Sequence, residues 1–189
     1  MEAPEIPTLT TERLRLRGIR GSDFENYAAL YADPEVTRYL LGSETWDRGR
    51  SWRHMAFAVG HWHLEGSGVW VAEELAGGEF VGVVGFWEPA AWPGFELAYH
   101  LARRHWGQGY ASEAGKAALA HAFMVWQRSH VISLINPKNL PSIRVAERIG
   151  ERLEGRIDHF GRQMLLYGLD RATYLAEVAP AGGLARRAG

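Results

Sequence analysis

The sequence predicts an α/β (α+β) fold, a single sheet with helices packed on it and a strand–helix–strand crossover in its middle. Three observations lead there. Short apolar or alternating runs recur near residues 11–17, 69–73, 80–86, 95–101, 131–135, 152–157 and 163–169, the signature of strands. Stretches of helical spacing separate some of these runs, most clearly 110–126 between two strand signals. The length, 189 residues with 47% hydrophobic and 23% charged, suits one globular domain.

Taken in order, residues 1–10 form a loose lead-in, and Thr11–Arg17 alternates leucine with arginine as a half-buried strand does. Ser22 and Glu25 have capping-box spacing ahead of a helix over Asp23–Ala32, which Asp33-Pro34 ends; a short turn follows through Tyr39. A longer helix covers Asp47–Leu64 and stops at Gly66. Val69–Glu73 and Phe80–Phe86 flank the hairpin signal Ala76-Gly77-Gly78, and Pro93-Gly94 sets off a third strand, Phe95–Leu101. The alanine-rich stretch Tyr110–Trp126 is an amphipathic helix and Val131–Ile135 a β-branched buried strand. A helix from Pro141 to Ile149 has Asn139 near its start and Gly150 as its stop. Arg152–Ile157 and Gln163–Leu169 make a final strand pair. Residues 1–178 read as one domain, and the small, polar run 179–189 as a disordered tail.

Composition narrows the function. The absence of cysteine excludes disulfides, a thiol nucleophile and thiolate metal sites. A net charge of −1 offers nothing to nucleic acid or an anionic membrane. No apolar run reaches the length of a membrane span and no signal peptide opens the chain, so a cytoplasmic location is expected. All eight tryptophans fall between Trp46 and Trp126, as core or cleft wall. His61 and His63 lack a third ligand in register, so they read as a surface helix face and no metal is expected.

The most informative stretch is Phe95–Ala114, a strand, a turn rich in arginine and glycine, and a helix start. Gly107 and Gly109 permit positive φ and close approach of a ligand, and free N–H groups at the helix start suit a phosphate. The Walker P-loop string is absent, Ser112 stands where a dinucleotide fingerprint needs its third glycine, and there is no Gly-x-Ser-x-Gly elbow.

Arg104-His105-Trp106-Gly107-Gln108-Gly109 resembles the pyrophosphate loop of the GNAT superfamily of acyl-CoA-dependent N-acyltransferases. The longer string 106–114 is similar to the RimJ/RimL-like branch, as are Thr11–Arg17, Asp33–Tyr39 and the Asn139-x-x-Ser142 helix with Gly150. The resemblance covers residues 10–175. It departs at Glu151, where family members usually carry an aromatic, which suggests a more exposed or shifted strand start, and at the tryptophan-rich stretch Trp87–Trp92.

The resemblance implies the GNAT fold, a mixed, mostly antiparallel sheet of about seven strands, and acetyl-CoA as cosubstrate. Strands Phe95–Leu101 and Val131–Ile135 would splay to admit the pantetheine arm. His100 and Leu101 would flank it, and Arg104, Trp106, Gly107, Gln108, Gly109, Tyr110 and Ala111 would hold the pyrophosphate. Asn139 would bond the pantetheine amide or simply cap its helix. Glu96 would take the amine proton, directly or through water, or be a plain strand acid. Ser142 would protonate the leaving thiolate or serve as a cap, with Tyr167 as the rival acid. His100 would assist proton transfer or bond backbone. Trp87, Glu88 and Trp92 would shape an acceptor pocket whose acid attracts a cationic amine. The implied activity is N-acetyl transfer to a protein N-terminus or a small-molecule amine through a ternary complex, with no cysteine or serine elbow to carry the acyl group. The alternatives are a non-catalytic acyl-CoA-binding module of the same fold and a nucleotide-phosphate binder unrelated to CoA. Family members often pair, so a homodimer is an option that no residue here decides.

Overall fold

The structure is a computed structural model; it describes residues 5–40 and 44–179. The tail expected at 179–189 lies outside the described residues except for Ala179.

Eight strands form one sheet: β1 (Leu9–Thr10), β2 (Leu14–Arg17), β3 (Val69–Glu74), β4 (Phe80–Trp87), β5 (Glu96–Leu101), β6 (His130–Ile135), β7 (Arg152–His159) and β8 (Arg162–Asp170). Their order is β1-β2-β3-β4-β5-β6-β8-β7, antiparallel except where β5 meets β6. The helices are α1 (Phe24–Ala32), α2 (Pro34–Thr37), α3 (Arg48–Glu65), α4 (Tyr110–Met124) and α5 (Leu140–Ile149), with a short helical segment after β8. The parallel contact follows from topology, because α4 carries the chain back across the sheet between β5 and β6.

Most element ends move by one or two residues from the sequence reading, and two differences near the start of the chain go further, each for a local reason. The run expected as one strand over Thr11–Arg17 turns on itself, since Thr11 Oγ1 accepts from Leu14 N at 2.9 Å and Thr11 N donates to Leu14 O at 2.9 Å. Leu9–Thr10, assigned to the lead-in, therefore doubles back as β1. Ser22 and Glu25 do not form the expected capping box. Asp23 accepts from Arg20 N at 2.7 Å and from both Nη atoms of Arg17 at 2.8 Å, while the exposed Glu25 pairs with Arg48. Arg17 is buried beside Glu73 on β3, and a buried guanidinium requires partnered carboxylates, so Asp23 turns inward. The α3 boundaries fall within one residue of the reading, with Asp47 accepting from Arg50 N and Gly66 left-handed at φ 66°.

The core divides the tryptophans by role. Trp62, Trp70 and Trp126 pack with Phe86 and Phe95 between the sheet, α3 and α4, with Trp70 and Trp126 stacked 5.7 Å apart. Trp46, Trp87 and Trp92 instead line a cleft on the β5–β6 side.

Candidate active site

β5 and β6 touch through one ladder pair, Glu96 with Ile132, supported by Ile132 N donating to Phe95 O at 2.9 Å. Beyond it the strands part. The β5 edge facing β6 then has no ladder partner among the described residues, and Ala98, Tyr99 and His100 are only half-buried although β4 beside them is fully buried. Two cavities, about 360 and about 580 Å³, open on this gap. Both are lined by Tyr39, Leu40, Tyr99, His100, Asn139 and Ser142, so they adjoin as one cleft along the gap between β5 and β6.

Glu96 lines the smaller cavity at the point of divergence. Trp92 Nε1 donates to its Oε2 at 2.5 Å, and Leu134 N approaches Oε1 at 3.4 Å. Burial pushes its carboxyl up to about 7, against the pull of these two donors. A carboxyl poised there exchanges protons near neutral pH, which suits a general base.

Ser142 sits in the first turn of α5, placed there by Asn139, whose Oδ1 accepts from Ser142 N at 3.2 Å. Asn139 thus caps the helix while also lining both cavities. The Tyr99 hydroxyl lies 3.1 Å from Ser142 Oγ and from Ser142 O. This tyrosine was not among the residues expected from sequence. Its position two residues from the strand end points it into the gap, a placement that only the divergence of β5 from β6 reveals.

The larger cavity is bounded by the loop after β5. Gly107 and Gly109 have φ of 75° and 83°, and no atom lies within 4 Å of a Cβ built on Gly107. Positive φ turns successive N–H groups to one side, where the first turn of α4 adds its own. Trp106, Tyr110 and Ala111 line the same cavity with Leu101. The loop is held from behind: Arg13 Nη1 donates to Gln108 O at 3.0 Å, and Arg13 and Thr11 both bond Glu113 on α4. An acyl-CoA's phosphates fit such a cradle, because the space in front of Gly107 is open and the Arg13 guanidinium stands beside Gly109.

Several expected residues are placed elsewhere. Glu88 donates its N–H to His61 Nε2 and pairs its carboxylate with Arg128 at 2.9 Å, so it does not line the cleft as an amine-attracting acid. The Tyr167 hydroxyl faces Glu147 at 3.4 Å, outside both cavities. The Arg104 side chain turns to Glu79 at 2.7 Å and Phe80 O, and Gln108 Nε2 turns back to Arg104 O, so neither side chain lines the cradle. His100 bonds the Tyr31 hydroxyl at 2.9 Å rather than backbone. His61, expected on a helix surface, is buried with Nδ1 2.7 Å from Ser67 O, because its ring fills the space between α3 and the end of β4; His63 is exposed. Among the described residues no group of three or more His, Asp or Glu is placed to hold a metal. Glu151 itself is buried, whereas the strand it leads into starts exposed at Arg152–Glu154 and shifts register between Leu153 and Gly155, as the departure suggested. Glu151 is 2% exposed, its carboxyl lies 2.9 Å from Ser133 Oγ, and its Oε2 has no partner among the described residues.

A family model described as an acetyltransferase (GNAT) domain matches residues 13–152. The chain is 34% identical over 174 residues to the uncharacterised protein YkkB of Bacillus subtilis (strain 168), covering 88% of this chain and 96% of that one. Among solved structures, an acetyltransferase from Agrobacterium tumefaciens str. C58 aligns with a TM-score of 0.80 at 32% identity, over 87% of this chain and 95% of that one. The RimL ribosomal alpha-N-protein acetyltransferase in complex with coenzyme A aligns with a TM-score of 0.73 over 87% of this chain and 98% of that one; at 19% identity this likeness concerns the fold. A GNAT domain spanning most of the chain, a relative and a structure above 30% identity, and a sheet that parts between its parallel strands agree: the chain belongs to the GNAT family of acetyltransferases.

Proposed function

We propose that the protein transfers the acetyl group of acetyl-CoA directly to the primary amine of an acceptor held in the same cleft. The observation that carries this reading is the continuity of the cleft. It runs from the positive-φ loop at Gly107–Gly109, past the unpaired edge of β5, to Glu96. A thioester arm and an amine can then meet at the strand divergence from opposite ends of the cleft.

In the step we infer, the amine nitrogen attacks the thioester carbonyl carbon and the carbon–sulfur bond breaks. Glu96, held by Trp92, takes the amine proton directly or through water. The Ser142–Tyr99 hydroxyl pair supplies a proton to the leaving thiolate, and Asn139 fixes the start of α5 so that Ser142 faces the gap. Burial pushes the Tyr99 hydroxyl well above the usual tyrosine range, so it holds its proton until the thiolate leaves, gives it up to the sulfur and is reprotonated from solvent as the products depart. The described residues include no cysteine and no strained serine turn, which supports transfer without an acyl-enzyme.

The reading is tested by thiol release from acetyl-CoA over a panel of amines, together with calorimetric titration of acetyl-CoA. Binding with turnover of at least one amine supports it. Binding with no turnover favours the non-catalytic module of the same fold, and no binding removes the acetyl-CoA reading.

A further inference from the structure

The acceptor side of the cleft has a chemistry of its own. On α3, Arg50, His54 and Phe57 recur at i, i+4 and i+7 and all line the smaller cavity. Trp46, Trp87 and Trp92 complete its walls, with Trp87 stacked 5.2 Å from Phe57. At about 360 Å³ the cavity is at the small-molecule end of ligand sites.

Its charges are unusual for an amine site. Among the described residues, Glu96 is the one carboxylate that lines it and Arg50 the one fixed cation. The Arg50 guanidinium lies over the Trp46 ring, 4.7 Å from its centroid, and forms no ion pair among the described residues. The Asp47 carboxylate nearby accepts from the Arg50 backbone N–H and does not pair with its guanidinium. His54 is neutral, pushed down to about 4 first by burial and then by the charges of His100 and Arg50. Its Nδ1 is 2.7 Å from the Tyr27 hydroxyl. With Tyr27 donating to Nδ1, the proton of the neutral ring sits on Nε2, which has no protein partner among the described residues.

A bare cationic amine entering this cavity meets an unbalanced guanidinium. Glu96 does not pair with it, because its carboxyl oxygens are held by Trp92 Nε1 and Leu134 N. An anionic group on the acceptor reverses the sign of that interaction, and a guanidinium matches a carboxylate with two parallel bonds. Resting on the acetyltransferase reading above, we infer that the acceptor is a small amine bearing a carboxylate on an aromatic body. Arg50 and the Nε2–H of His54 hold the carboxylate, the tryptophan walls hold the ring, and the amine meets Glu96.

The test uses the full chain at pH 8 with acetyl-CoA and amine pairs that differ only in the carboxylate, phenylalanine against phenethylamine and tryptophan against tryptamine. Alanine and a short peptide with a free N-terminus are added. The carboxylated aromatic of each pair should exceed its partner at least tenfold in kcat/KM, mostly through KM, and should exceed both alanine and the peptide. Arg50→Gln should bring the members of each pair together, and Arg50→Lys should restore part of the gap. Calorimetric binding of acetyl-CoA to each variant shows that it is folded. A preference for the decarboxylated amine or the peptide, a gap that survives Arg50→Gln, or acetyl-CoA binding with no turnover of any panel member overturns the inference and leaves acetyl-CoA binding intact. Loss of acetyl-CoA binding by the wild type overturns the acetyltransferase reading itself, and the inference with it.

Discussion

Ser133 Oγ lies 2.9 Å from Glu151 Oε1 and 3.0 Å from Leu97 O. A hydroxyl carries one hydrogen, so both contacts are hydrogen bonds only when Ser133 donates to Leu97 and the Glu151 carboxyl, itself protonated, donates to Ser133. Burial pushes that carboxyl up to about 8, and the nearby charges of Glu96 and Glu154 push it the same way. The neutral acid at the start of β7 thereby fastens β6 to β5 one residue beyond their last ladder pair. An ionised Glu151 would lose that donor and leave a charge in the sheet.

Stability should therefore fall with rising pH through this group. Its folded pKa is above the unfolded value of 4.5, so the native state binds more protons between about 4.5 and about 8, and stability declines across that window. Glu151→Gln supplies the N–H donor at every pH. In urea titrations it should match wild type near pH 5 and exceed it at pH 9 by on the order of 1–3 kcal/mol. Parallel stability curves for the two proteins would refute the protonated clamp.

Glu96 should impose a limb on the rate. With its carboxyl near 7, it is protonated and unable to accept below that pH and competent above it, so kcat/KM should rise with pH through about 7. Glu96→Gln should lower kcat by roughly 10²–10⁴-fold and abolish the limb, while acetyl-CoA still binds. An unchanged limb in the variant would assign the titration to another group or to the amine itself.

Much of this was legible in the residues, and the gaps share a cause. The positive-φ glycines 107 and 109, Asn139 as a cap and Glu96 on its strand follow from local pattern, since turn chemistry, helix caps and strand alternation act over a few residues. Side-chain direction did not follow. Arg104 and Gln108 sit in the recognised loop, yet the Arg104 side chain leaves it for Glu79 on the β4 hairpin and the Gln108 side chain folds back onto Arg104 O. Glu88 goes to Arg128, forty residues away. The face of α3 that lines the smaller cavity had a readable period at Arg50, His54 and Phe57, but its mixture of charge, imidazole and ring does not register as an amphipathic stripe. Glu151 was noticed as a departure, and its burial depended on Ser133 from another strand.

The two hydroxyl candidates for the leaving group should separate by site. Ser142→Ala and Tyr99→Phe should each lower kcat about ten- to hundredfold with little change in acetyl-CoA affinity. Tyr167→Phe should leave kcat within about twofold, because its hydroxyl faces Glu147 outside the cleft. A larger loss in Tyr167→Phe than in either of the others would move the acid to β8.

Arg13 should act on the cofactor side without touching the reaction. Its guanidinium joins Gln108 O to Glu113 and covers the Tyr110 ring at 4.5 Å, so Arg13→Ala should loosen the cradle and weaken acetyl-CoA binding roughly three- to tenfold. At saturating acetyl-CoA the kcat should be close to wild type. Unchanged affinity would show that the loop holds its shape alone.

If the loop at Gly107–Gly109 receives the phosphates of acetyl-CoA, calorimetric titration of acetyl-CoA should separate wild type from Gly109→Asp. Gly109 has φ of 83° at the start of α4, so aspartate there brings both backbone strain and a negative charge to the amide cradle. Wild type should bind acetyl-CoA at one site per chain, and the folded variant should lose measurable binding. Equal affinity in the two proteins would contradict the assignment of the cleft.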